Sequence, residues 1–264
     1  MQVAKRTFTA LATAAVAVAG ILYLPQWAVK GGIIALSVLA HLEFSQIVSR
    51  RYPIMVWQGV AAGFIYLVSL AFFYDSCFVP LMVALAAFAL RSSTDRPVAA
   101  WSTTLLGFLY VPVMMAGLIN LTTCAGQYSP LWLIYVVSIV KISDMGGFAF
   151  GKLFGRHKMC PSISPNKTWE GFGGGIFGSC LISSLLMPLT GFTFSFSLAV
   201  GVAAALVGTL GDLVESRIKR ECGVKDSATF MPAGMGGFLD MLDSILFAPS
   251  LFCCFFAGSR ALAC

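Results

Sequence analysis

The sequence predicts an all-α fold, a polytopic membrane bundle of about nine transmembrane helices with its N-terminus in the cytoplasm. Three observations carry this expectation. Of the 264 residues, 58% are hydrophobic and only 11% are charged, and the mean hydropathy is +0.88. A soluble domain is nearer half apolar and a quarter charged, so too few charges remain here to wet a surface. The apolar runs, such as 54–73, are continuous, which excludes the alternating ten-residue segments of a transmembrane barrel. Lys and Arg are also unevenly placed. With the N-terminus inside, fourteen of the seventeen fall in cytoplasmic segments, Lys30 and Arg260 fall outside, and Lys141 lies within a span. That bias supports an N-in, C-out topology and accounts for the net charge of +6 without a nucleic-acid partner.

Nine apolar runs separated by charged breaks mark the spans in order. Span 8–24 follows Lys5 and Arg6 and continues through Tyr23 and Leu24 to Pro25. Eight further spans follow it, so it reads as a first crossing and not as a cleaved signal peptide. Spans 30–48 and 54–73 flank Arg50 and Arg51, and the short span 78–90 ends at Arg91. Span 101–119 follows Arg96, and span 131–150 contains Lys141 and Asp144 ahead of a polar loop, 151–170. Span 171–190 opens on Gly171, Gly173, Gly174, Gly175 and Gly178, a pattern of close helix packing; the nucleotide-binding phosphate-loop motif is absent. Spans 196–214 and 237–257 enclose a second polar loop, 215–236. The eight cysteines form no metal-spaced or disulfide-like pattern and read as small apolar fillers. The whole chain, 1–264, is therefore one membrane domain, with 1–130 as scaffold helices and 131–257 carrying the chemistry.

Eight of the eleven carboxylates lie after residue 140. Asp144, Asp212, Asp240 and Asp243 all fall within about 10 Å of the cytoplasmic boundary at the helical rise of 1.5 Å per residue. Ionisable groups in spans are costly and usually functional. Asp240 and Asp243 share one helix face, as do Asp212, Glu215 or Ser216, and Lys219. Clustered carboxylates repel one another unless a hard cation joins them, and oxygen ligands suit magnesium, which keeps waters and bridges phosphates. The alternative is an interfacial salt-bridge network with Arg217, Lys219, Arg220 and Lys225, and Lys141 could simply neutralise Asp144. The segment Ser164-Pro165-Asn166-Lys167-Thr168-Trp169-Glu170-Gly171 reads as a helix start that points N–H groups at an anion, or as an ordinary capped start to a span anchored by Trp169.

These residues carry a resemblance. Ser216-Arg217-Ile218-Lys219-Arg220, four residues, Lys225-Asp226, and then Pro232 through Asp240-Met241-Leu242-Asp243 resemble the signature of the phosphatidate cytidylyltransferase, or CDP-diacylglycerol synthase, family. Gly211 to Ser216 continues the match, Ser164–Gly171 looks like the family's S-P-x-K-T-W-E-G segment, and Asp144 to Gly151 resembles its D-x-G-A-Y-x-x-G element. The similarity covers roughly residues 140–250. It departs at Met235, where the family has histidine, at Met241, where it has arginine, and at Phe148, where tyrosine is common. His157, in the preceding loop, is the remaining candidate for the missing imidazole, or else a solvated loop residue.

The resemblance implies transfer of the cytidylyl group of CTP to phosphatidic acid, giving CDP-diacylglycerol and pyrophosphate. It implies magnesium held by Asp212, Asp240 and Asp243, with Ser216 and Asp144 next in line and room for a second cation. Asp144, Lys167, Asp212, Lys219, Asp240 and Asp243 would be the catalytic set. Ser164, Asn166, Lys167, Thr168, Glu170, Ser216, Lys219, Arg220, Lys225 and Asp226 would bind substrate. The expected partners are CTP, phosphatidic acid and membrane lipids, with a homodimer left open and no nucleic acid. The expected location is a bacterial-type inner or plasma membrane with the site facing the cytoplasm. The rival readings are a CTP-dependent lipid-alcohol kinase and a polytopic transporter.

Overall fold

The computed structural model describes residues 18–73, 81–84, 86–87, 95–123, 130–224 and 237–261. In chain order the elements are α1 (Gln26–Ser49), α2 (Val56–Phe73), α3 (Pro97–Thr122) and α4 (Pro130–Phe154). Then come β1 (Lys158–Cys160), β2 (Ser164–Thr168), α5 (Trp169–Leu185), the short α6 (Met187–Thr190), α7 (Phe194–Glu221) and α8 (Phe238–Ala261). Helices α1, α2, α3, α4 and α7 are each long and apolar enough to cross a membrane. Large apolar side chains such as Trp57, Phe73 and Leu153 stand exposed on the outside of the bundle, as lipid-facing residues do. The protein is an all-α, multi-pass membrane bundle carrying one two-stranded ribbon.

The expected runs 30–48, 54–73, 101–119, 131–150, 196–214 and 237–257 coincide within a few residues with α1, α2, α3, α4, α7 and α8. Most of 8–24 and 78–90 lies outside the described residues. Three differences have physical causes. Helix α7 runs about two turns past its apolar stretch to Glu221, because Glu215 and Lys219, one turn apart, are buried and paired at 2.5 Å. The expected span 171–190 breaks after Leu185, where Pro188 sits in the first turn of α6 and Gly191, at φ 71°, ends it. The segment Ser164–Thr168 is a strand paired antiparallel with β1, and the helix begins only at Trp169.

The helices that carry the site meet at glycines. A Cβ on Gly146 of α4 would lie 2.6 Å from the Gly174 carbonyl oxygen of α5, and one on Gly171 would lie 2.7 Å from that of Gly147. Backbone therefore packs on backbone, as in small-residue membrane interfaces; Gly173 faces open space instead. Buried hydroxyls add cross-links: Tyr135 to Ser183 at 2.8 Å, Ser183 to the Ser197 carbonyl at 2.7 Å, and Ser179 to that of Gly201 at 2.8 Å. Phe44, Phe108, Met115, Tyr135, Leu246 and Phe252 fill the core. At the end of α7, Arg51 donates to the Glu221 carbonyl and Tyr52 to its carboxylate, each at 2.5 Å, tying the α1–α2 connection to the ribbon side of the bundle.

Candidate active site

A cavity of about 380 Å³ opens between α4, β2, α5, α7 and α8. Asp144, Ser164, Asn166, Lys167, Thr168, Asp212, Asp240 and Asp243 all line it, so the structure brings together residues drawn from four separate stretches of sequence. Close approach of α7 to α8 makes this convergence possible, since a Cβ on Gly211 would collide with the Asp243 carbonyl oxygen. Asp212, the next residue, is thereby brought to the crossing with Asp243. Thr168 caps α5, its hydroxyl accepting from Gly171 N–H at 3.2 Å. That cap fixes the end of β2 and so the reach of Lys167.

The cavity lining holds four carboxylates and two lysines, Lys141 and Lys167. Lys167 pairs with Asp212 at 2.8 Å and also donates to the Thr209 carbonyl at 3.4 Å. Lys141 lies 3.7 Å from Asp144 and donates to the Met241 carbonyl at 2.9 Å. Ser244, which the sequence reading passed over, donates to Asp144 at 2.7 Å and accepts from Lys141 at 3.3 Å. Asp144, Asp212 and Asp243 face the same cavity from three helices. Asp240 is held differently, accepting from Lys219 through Oδ1 and from Gly237 N–H at 3.1 Å through Oδ2.

Other expected site residues stand back from the cavity wall. Ser216 donates to Asp212 at 3.3 Å. Lys219 is buried between Glu215 and Asp240. Arg220 is exposed at the end of α7, its guanidinium reaching the Ile163 and Val224 carbonyls at 3.4 Å. Glu170 holds the turn before β1, accepting from Arg156 N–H at 3.1 Å and from His157 N–H at 3.2 Å, with the His157 ring at 2.6 Å. The contact with His157 and the surrounding backbone N–H groups hold the Glu170 carboxyl down at about 2. His157 is accordingly an exposed partner of Glu170. Lys225, Asp226 and Met235 lie outside the described residues.

Among the described residues, no three His, Cys, Asp or Glu side chains form a ready-made metal cage. Asp144, Asp212, Asp240 and Asp243 are the oxygen donors that would be available to a magnesium ion. That ion uses one or two carboxylates and fills its other positions with water and substrate phosphates, and the cavity presents an excess of carboxylates. Anionic and cationic groups facing one space of this size suit a polyphosphate ligand with an accompanying cation.

Residues 4–258 match the profile of the Cytidylyltransferase family. The phosphatidate cytidylyltransferase of Staphylococcus aureus (strain COL) is 45% identical over 118 residues, covering 44% of this chain and 45% of that protein. Its counterpart in Staphylococcus haemolyticus (strain JCSC1435) is 42% identical with the same coverage. The one in Mycobacterium bovis is 44% identical over 44% of this chain and 38% of its own length. The alignments thus span less than half the length of these curated relatives. The profile match covers nearly the whole chain, and the chain belongs to the cytidylyltransferase family.

Proposed function

We propose that this protein transfers the cytidylyl group of CTP to phosphatidic acid, releasing pyrophosphate and forming CDP-diacylglycerol. The observation that carries the reading is the mixed-charge cavity itself, with Asp144, Lys167, Asp212, Asp240 and Asp243 on its walls in a member of this family. The names of the curated relatives point the same way. A phosphatidate oxygen attacks the α-phosphorus of CTP, the new P–O bond forms, and the bond to the bridging oxygen of pyrophosphate breaks. Phosphatidate is anionic near neutral pH, so the step needs alignment and charge neutralisation more than a general base.

Lys167, on the short ribbon that ends at Thr168, the cap of α5, meets the phosphates in the cavity. Lys219 orients Asp240, and Arg220 offers a bidentate contact to a phosphate arriving at the exposed end of α7. Magnesium held by Asp212, Asp240 and Asp243, with Asp144 beside them, would neutralise the leaving pyrophosphate. The lipid approaches laterally and CTP from the cytoplasm, in a topology of nine crossings with the N-terminus inside and the C-terminus outside.

A transporter would place charges near the midplane on broken helices in paired halves, whereas the acids here gather on α4, α7 and α8 around one cavity. The test is incubation of purified protein with CTP and phosphatidic acid, with and without magnesium. Formation of a cytidine-containing lipid supports the reading. A phosphorylated lipid alcohol in its place would establish the kinase, and no lipid product under any divalent cation would end both.

A further inference from the structure

Glu43 lies in the last third of α1, far in sequence from the residues that line the cavity, and its side chain is fully buried. A carboxylate is costly to bury in an apolar bundle unless its oxygens are used. Its Oε2 accepts the backbone N–H of Leu239 at 2.9 Å, across 196 positions of sequence, while Oε1 has no hydrogen-bond partner among the described residues. Leu239 is the second residue of α8, and its side chain is buried as well. The first N–H groups of a helix have no partner within the helix, and a carboxylate there also meets the favourable end of the helix dipole. Glu43 is therefore a cap supplied from another helix.

The first turn of α8 is fixed from three directions. Gly237 N–H is taken by Asp240, in the reciprocal half of a capping box. Asp240 is held by Lys219 of α7, and Leu239 N–H is held by Glu43 of α1. Asp240 follows Leu239 directly and Asp243 lies one turn further on. A slip of one residue along α8 would move these carboxylates by about 1.5 Å and turn them by about 100° away from the cavity. We propose that Glu43 is a positioning residue, its carboxylate setting the height and rotation of α8 so that Asp240 and Asp243 stay on the cavity wall. The activity readout of this inference rests on the cytidylyltransferase reading above.

The test compares the full-length wild type with Glu43→Gln, which keeps an oxygen acceptor at the same reach, and Glu43→Met, which keeps the length and loses the acceptor. Each is purified in detergent, and kcat, KM for CTP and hydrogen exchange at residues 238–243 are measured. Glu43→Met should lower kcat by about 10- to 100-fold, the effect of roughly 1 Å of misplacement at a reacting centre, with KM for CTP changed less than about threefold. It should also speed exchange in the first turn of α8. Glu43→Gln should restore both readouts to near wild type. Wild-type kcat in Glu43→Met, or equal damage in both variants, would overturn the proposal. If the wild type makes no cytidine-containing lipid, the functional reading fails by itself. Exchange then decides the positioning role: faster exchange in Glu43→Met alone supports it, and unchanged exchange refutes it.

Discussion

Asp240→Asn separates the two things Asp240 does. The substitution is isosteric and its amide oxygen can still accept from Gly237 N–H, but it removes the negative partner of Lys219. Both side chains are mostly buried, at 11% and 19% exposure, so solvent screens this pair only weakly. Lys219 is not left alone, because Glu215 remains 2.5 Å away. The loss is therefore that of one charge-assisted hydrogen bond, about 1.5–3 kcal/mol, and not the larger penalty of an uncompensated buried ion. From the sequence alone, removing one of several like charges would be expected to relieve repulsion and stabilise the fold; the pairing with Lys219 reverses that sign. Turnover should fall much further, by about 100-fold or more, because a carboxylate facing the reacting phosphates loses its charge. The assay is CDP-diacylglycerol formation across a magnesium titration, beside the detergent-solubilised melting temperature. A melting temperature equal to or above wild type would refute the role of the Lys219 pair. Near-normal turnover with unchanged magnesium dependence would remove Asp240 from the chemistry.

Three further outcomes are expected. Lys167→Met should lower kcat/KM for CTP by about 10²- to 10³-fold, the range for deleting one donor to a developing anion, while circular dichroism stays native; activity within a factor of a few of wild type would remove Lys167 from the phosphate site. Gly211→Ala should cost about 1–3 kcal/mol by overpacking the α7–α8 crossing, whereas Gly173→Ala, which faces open space, should be neutral or stabilising; equal melting temperatures would show that the crossing is not tight. Lys158→Cys, on the exposed ribbon, in a cysteine-depleted background should react with an impermeant thiol reagent only after the inner face is opened, and labelling from outside would invert the proposed topology.

What the sequence showed and what it hid follow from the range of each interaction. The apolar runs behind α1 to α4, α7 and α8 were visible because bilayer crossing imposes length and hydropathy on contiguous residues. The last turns of α7 were invisible to hydropathy, since Glu215 and Lys219 are charged residues that the fold buries by pairing them with each other and Lys219 with Asp240 of α8. Lys219, expected to meet substrate phosphate, has its ammonium between two carboxylates, Glu215 and Asp240, a surrounding that no local pattern reports. The ribbon at Ser164–Thr168 gave no alternation signal, having no large apolar side chain and being only five residues long. Glu43 did leave a trace, a carboxylate inside an apolar span, but its partner is a backbone N–H 196 positions away, which no local pattern reports. The convergence of Asp144, Asp212, Asp240 and Asp243 was legible because the expected topology put all four at one depth, and the cavity brings all four together.

The central claim is that a phosphatidate oxygen takes the α-phosphorus of CTP. The most direct measurement follows two labels through one reaction, using purified protein, phosphatidic acid vesicles and CTP carrying phosphorus label at either the α or the γ position. The account predicts that α-label enters the lipid in equal amount with cytidine, while γ-label leaves entirely as pyrophosphate. Label from the γ position in the lipid, with cytidine diphosphate released, would contradict it.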